Sequence, residues 1–108
     1  MALLLPAAGA DVTVSVVSHG HDDWLPGLLT GLARTGGGAL RRVVLTHNLP
    51  ARRAVEGDWP FELVEVHNAH PQGFGANHNQ AFARADSVWF CVLNPDIELQ
   101  DAALWQQL

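Results

Sequence analysis

The 108-residue chain has one cysteine, Cys91, no lysine, and no apolar run approaching the roughly 20 residues of a membrane span. A single thiol excludes an internal disulfide framework and a cysteine-built zinc site. Its place inside the apolar stretch Val88–Leu93 predicts a buried structural role. The six cations are all arginine, scattered or paired as Arg41-Arg42 and Arg52-Arg53, and the net charge is −5. Without a basic stripe, no nucleic-acid partner is expected. The two arginine pairs read as solvated surface. The start, Met1–Leu5, is apolar but has no basic flank and is interrupted by Pro6, so it makes a poor signal peptide. A cytoplasmic chain without a transmembrane segment is expected. Internal repeats and low-complexity linkers are absent as well, which leaves a single domain.

What is present is a 48% hydrophobic share arranged in two periods. Val12–Val17 is rich in β-branched residues and ends in the polar turn Ser18-His19-Gly20-His21, the signature of a first strand. Leu25, Leu28, Leu29 and Leu32 follow at helical spacing, with Asp22 or Asp23 as the expected cap, Pro26 in the first turn and Gly36–Gly38 as the stop. Arg42–Leu45 predicts a short second strand that exits at Thr46-His47-Asn48. Residues 50–59 predict a connector with one helical turn around 51–55. Phe61–Val66 partly alternates, as an edge strand with one wetter face would. Phe74, His78, Ala81, Phe82 and Ala85 predict a second helical face. Val88–Leu93 has no polar break and predicts a central strand buried on both sides. Asp101 would cap a third helix. The four tryptophans are expected to pack, with Trp24 or Trp59 as candidates for exposure.

Strands alternating with helices imply an α/β fold with a mostly parallel sheet. The turns after strands one, two and four then gather on one sheet edge, carrying Ser18, His19 and His21, His47 and Asn48, and Asn94 and Asp96. Ligands of open α/β sheets bind at that edge. A carboxylate at a strand's end, stiffened by Pro95, suits a hard cation such as Mg²⁺ or Mn²⁺. The glycines at 73 and 75 both shape a turn and leave room beside it. His78 and Asn79 read either as first-turn capping residues or as ligand contacts. The six histidines show no spacing that enforces a tetrahedral zinc site. Gly73–His78 lacks the third glycine of a dinucleotide fingerprint, which argues against a dehydrogenase.

Two elements carry a family resemblance. Gly73-Phe74-Gly75-Ala76-Asn77-His78-Asn79, followed by an apolar strand ending in Leu93-Asn94-Pro95-Asp96, resembles the N-terminal half of family 2 nucleotide-sugar glycosyltransferases with the A-type fold. The nearest branch is that of the bacterial rhamnosyltransferase-like enzymes, and the resemblance runs from about Val12 to Leu104. It implies a Rossmann-like sheet with flanking helices and a nucleoside-diphosphate sugar, UDP- or dTDP-linked, as ligand. It also implies a divalent metal, Mg²⁺ or Mn²⁺, at Asp96. By the same resemblance Ser18, His19 and Gly20 form the turn beside the base, Asn48 follows strand two, and Gly75, His78 and Asn79 lie beside the nucleotide. Asn94 stands where relatives carry the first Asp of an Asp-x-Asp motif. The chain departs from the family at His47, where relatives have Asp, and at His78, where many have Arg or Asn. The family's acceptor site and general base lie beyond the matching stretch. The resemblance therefore assigns residues 12–108 to the donor-binding half, with 1–11 loosely attached and no catalytic residue. It leaves open an enzyme of polysaccharide or cell-envelope glycan synthesis and a non-catalytic nucleotide-binding half-domain. Apolar surface that an acceptor half would cover predicts a homodimer.

Overall fold

A computed structural model describes residues 11–85, 87 and 89–95. Asp96, Asp101, Trp105 and the expected third helix lie outside the described residues. The strands are β1 (Val12–Ser18), β2 (Leu40–His47), β3 (Glu62–His67) and β4 (Trp89–Leu93), and the helices are α1 (Leu25–Thr35) and α2 (Phe74–Phe82). All strand pairs are parallel and the sheet order is β3-β2-β1-β4. This is the expected Rossmann-like α/β arrangement. The chain builds outward from β1 to β3, then returns to the other side of β1 for β4, so the order reverses at the β1/β4 gap.

The two sheet faces differ in chemistry. Val12, Val14 and Val16 of β1, Val43 and Leu45 of β2 and Leu93 of β4 form one buried cluster with Leu25, Leu28, Leu29 and Leu32 of α1. Each such side chain contributes about 1.5–3 kcal/mol by leaving water. Residues of opposite parity face α2, where the apolar cluster is small: Val44, Val66 and Ala81. Two buried hydroxyls of β1 lie between these, at Thr13 and Ser15. Thr13 Oγ1 and Ser87 Oγ share a 2.6 Å hydrogen bond, and Ser15 Oγ and His78 Nδ1 share one of 2.8 Å. Buried hydroxyls need such partners, so the α2 face is held by hydrogen bonds as much as by apolar packing.

Several expectations are corrected. The fourth strand is not buried on both sides: Trp89 is 41% exposed and Phe90, Cys91 and Val92 are half-buried. Among the described residues β4 pairs only with β1, so one flank has no strand to cover it. The face of α2 is rotated from the predicted one. Asn77, His78 and Ala81 point inward, while Phe74 and Phe82 are 69% and 61% exposed. The hydroxyl-bearing face of β1 selects polar partners over phenyl rings. Asp22 does not cap α1, whose N-cap position is Trp24 without a side-chain hydrogen bond. Asp22 lies in a 3-10 turn and accepts the Arg52 backbone N–H at 2.7 Å, which holds its pKa below the usual carboxylate range. It thereby ties the 50–59 connector down. That connector has bends but no helical turn at 51–55. Arg42 is not simple surface: its guanidinium binds Glu62 through Nε and Nη2 and the Arg84 carbonyl through Nη1, joining β2 to β3 and to the segment after α2. Trp24 is exposed, as one of the two candidates, and Trp59 packs against the α1-side cluster.

Gly36 follows α1 with an ordinary helical φ of −73°, so its role is close approach. A Cβ there would sit 2.8 Å from the Leu32 carbonyl oxygen and from a Leu40 methyl. Gly27, inside α1, has nothing within 4 Å of a built Cβ. We expect Gly36→Ala to lower unfolding free energy by about 1–3 kcal/mol and Gly27→Ala to raise it by about 0.5–1 kcal/mol. Urea unfolding of both variants beside wild type measures the contrast; equal effects at the two positions would contradict the packing described.

Candidate functional site

A cleft of about 460 Å³ opens at the C-terminal ends of the strands. Its walls come from the end of β1 and the following turn (Val17, His19, His21), from Asn48 after β2, from Gln72, Phe74, Asn77 and His78 at the start of α2, and from Leu93, Asn94 and Pro95 at the end of β4. It lies where the strand order reverses, the position at which open parallel sheets bind ligands.

The turn after β1 is built locally. Ser18 Oγ accepts the His21 backbone N–H at 3.2 Å, and the His19 backbone N–H donates to His21 Nδ1 at 2.9 Å. Gly20 between them has φ +82°, a conformation that glycine adopts at little cost. Ser18 is itself buried, with its carbonyl accepting the Asn48 N–H at 2.9 Å. Ser18 and Gly20 therefore shape the turn, and His19 and His21 are what the turn presents to the cleft.

Asn48 has all four of its hydrogen-bonding positions filled from within the protein. Its Nδ2 donates to His19 Nδ1 and to the Gln72 carbonyl, both at 3.0 Å. Its Oδ1 accepts Asn68 Nδ2 at 3.0 Å and the Gln72 N–H at 2.7 Å. Asn68 Nδ2 also donates to Asn77 Oδ1 at 2.7 Å, and Asn77 Nδ2 donates to the Gln72 carbonyl at 3.1 Å. A side-chain amide offers two donors and two acceptor lone pairs, so Asn48 is saturated. Its chemistry is to hold the cleft's wall in place.

The start of α2 forms the remaining wall. Its N-cap position is Gly73, with no side-chain hydrogen bond, and no acidic residue lies in its first turn. The first-turn N–H groups of a helix lack intrahelical acceptors, and the helix dipole places partial positive charge there. His78 sits one turn further in. Phe74 lies edge-on to its ring at a 4.4 Å centroid distance, and burial pushes its pKa below 6.5. His78 is thus a neutral ring anchored to Ser15 rather than a helix cap.

Of the sequence-predicted residues, the cleft brings together His19, Asn48, His78 and Asn94, with Ser18 and Gly20 behind the turn. Gly75 and Asn79 are exposed on α2 and outside the cleft lining. His47 lies on the α1 side of the sheet edge and outside the cleft lining. Asp96, the predicted metal ligand, lies outside the described residues. Among the described lining residues there is no carboxylate, so they do not by themselves fit a hard cation, which prefers several oxygen ligands. Sequence reading misses Asn68 and Gln72, and includes Asn77 only as part of the Gly73–Asn79 element. The one available signal was the asparagine-rich spacing from Asn68 to Asn79, and asparagine content alone does not specify which amides meet.

Comparison with protein-family models, curated proteins and solved structures gives no match. No helix among the described residues is long and apolar enough to cross a membrane.

Burial keeps His78 neutral where its unfolded counterpart takes up a proton, so acid favours the unfolded state. Its contribution is complete above pH 6.5 and is lost as pH falls through that value toward its lowered folded pKa. His78→Gln is expected to cost about 1–3 kcal/mol at neutral pH by unsettling the buried Ser15 hydroxyl. The deficit should shrink in acid. Thermal unfolding of both proteins at about pH 7.5 and pH 5.5 tests this, and a constant difference would contradict it.

Proposed function

We propose that the cleft binds a nucleoside diphosphate carrying a sugar, in the manner of the donor-binding half of a family 2 glycosyltransferase. The observation that carries the reading is the cleft's position at the β1/β4 reversal with the uncapped start of α2 as one wall. A helix N-terminus with glycine at its approach is suited to a diphosphate. The His19 and His21 turn offers imidazole faces and edges to a base. Asn94, exposed at the end of β4, offers an amide to ribose or to the sugar. The resemblance described above supplies the sugar and the transfer reaction, which would proceed by displacement at the anomeric carbon with diphosphate as leaving group. A Mg²⁺ or Mn²⁺ ion at Asp96 belongs to the same proposal on sequence grounds alone, and none of the binding argument depends on it. A second reading, nucleotide binding without transfer, is favoured by the lack of a carboxylate base among the described lining residues, whose only titratable proton acceptors are the imidazoles of His19, His21 and His78. Release of UDP or dTDP from the corresponding sugar nucleotides would separate the two.

Calorimetric titration with UDP and dTDP, each with and without Mn²⁺, tests the site. Gly75→Asp is the informative variant. A Cβ at Gly75 meets nothing within 4 Å, and an acidic side chain in a first turn suits the helix itself. The same carboxylate would repel a diphosphate. Binding is expected to weaken about tenfold or more with stability maintained. No binding by wild type, or equal binding by the variant, would remove the proposal.

The expected homodimer also remains a proposal. Exposed Phe82 lies edge-on to half-buried Phe90 at 5.2 Å and forms with it an apolar patch beside β4 on the α2 side. Light scattering at high concentration should give the mass of two chains. A monomer would end that part of the account.

A further inference from the structure

A second constellation lies at the same sheet edge, on the face that α1 covers. β2 and β3 run in parallel register with His47 opposite His67 and Leu45 opposite Glu65. Side chains alternate along strands, so His47 shares a face with Leu45, and Glu65 shares one with His67. The imidazoles of His47 and His67 are stacked, with centroids 4.6 Å apart and planes within 9°. His47 Nε2 lies 2.9 Å from Glu65 Oε1. One ligand-capable atom from each of the three residues falls within 4.8 Å of the others. His47 is buried, whereas Glu65 and His67 are exposed and border a cavity of about 290 Å³. That cavity shares no lining residue with the cleft described above.

We propose that His47, Glu65 and His67 bind a zinc ion, with a fourth position open to this cavity. Two imidazoles and one carboxylate are the donor set of open zinc sites, in which water or an anion completes the tetrahedron. Tetrahedral zinc with bonds near 2.0–2.1 Å sets its ligand atoms about 3.3 Å apart. His67 must turn out of its stack with His47 for both rings to aim a nitrogen at one ion, and the exposure of His67 and Glu65 leaves room for that movement. The backbone is already fixed at the point where it matters. The Asn68 N–H donates to the His47 carbonyl at 3.1 Å, and the Asn48 and Asn68 amides are joined immediately beyond both histidines. The buried histidine is a rigid ligand and the exposed pair can close on the metal. Arg52 and Arg53 also line the cavity. They form ion pairs with Asp22 at 3.7 Å and with Asp23 at 3.4 Å, so their charge is partly offset at the metal and still favours an anionic fourth ligand. The site is independent of the nucleotide proposal, because none of its three residues lines that cleft.

The test uses chelator-stripped protein titrated with Zn²⁺ by calorimetry and with Co²⁺ by visible absorption. Wild type is expected to bind one equivalent, with Co²⁺ giving the intense d–d bands of a low-coordinate site. His67→Ala and Glu65→Gln should each weaken binding at least tenfold, and His70→Ala should leave it unchanged. Thermal unfolding of the stripped variants checks that they fold, and Zn²⁺ should raise the midpoint of wild type but not of His67→Ala. Absence of stoichiometric Zn²⁺ binding by wild type would overturn the proposal, as would one-equivalent binding that survives in His67→Ala.

Discussion

The side-chain amide of Asn48 is the interaction on which the working edge of this protein depends. It joins three segments that are distant in sequence: the turn after β1 through His19, the exit of β2, and the loop from β3 to α2 through Asn68 and Gln72. Asn77 closes the same network from within α2. A side-chain amide with all its positions filled specifies one arrangement of the segments it joins. With the Asn48 amide fully engaged, the groups offered to a ligand are those it positions, among them the His19 and His21 rings, the α2 N-terminus and Asn94. The same linkage fixes the strand ends that carry His47 and His67. One amide thus organises both the cleft wall and the backbone beside the His47, Glu65 and His67 cluster.

The sheet divides the molecule's labour. On the α1 side, valines from β1 and leucines from α1 make a purely aliphatic cluster, and this side supplies most of the apolar burial. On the α2 side, Thr13 and Ser15 bring hydroxyls into the interior, and α2 answers with His78 in place of a phenyl ring. The consequence is a helix held to the sheet through few apolar contacts, with its N-terminus left open at the strand reversal. A more apolar α2 face would pack better, but it would remove the polar wall of the cleft.

Much of the fold is legible in the sequence because it rests on short-range patterns. The β-branched run from Val12 and the leucines at i, i+3, i+4 and i+7 admit only one reading each, and the alternation over Phe61–Val66 correctly places β3 at an edge. Patterns misled where burial depends on a partner far away. Phe74 and Phe82 look like core residues, yet the face opposite them carries Ser15 and selects His78. The apolar stretch of β4 looks central, yet one of its flanks has no strand among the described residues. The candidate cleft was partly legible, since parallel topology alone brings His19, Asn48 and Asn94 to one edge. The closure of Asn48, Asn68 and Asn77 into one network was not, because no periodicity encodes which amides meet. Nor was the His47, Glu65 and His67 cluster, which exists only once β2 and β3 are known to be neighbours in that register.

The reversal between β1 and β4 is the proposed seat of ligand chemistry. The most direct measurement is a two-dimensional amide NMR titration of uniformly ¹⁵N-labelled protein with UDP and with dTDP. The account predicts that the largest shifts fall on His19, Gly20, the first turn of α2 and Asn94, with β3 and the 50–59 connector little changed. Shifts centred on β3 and that connector, or none at saturating nucleotide, would contradict it.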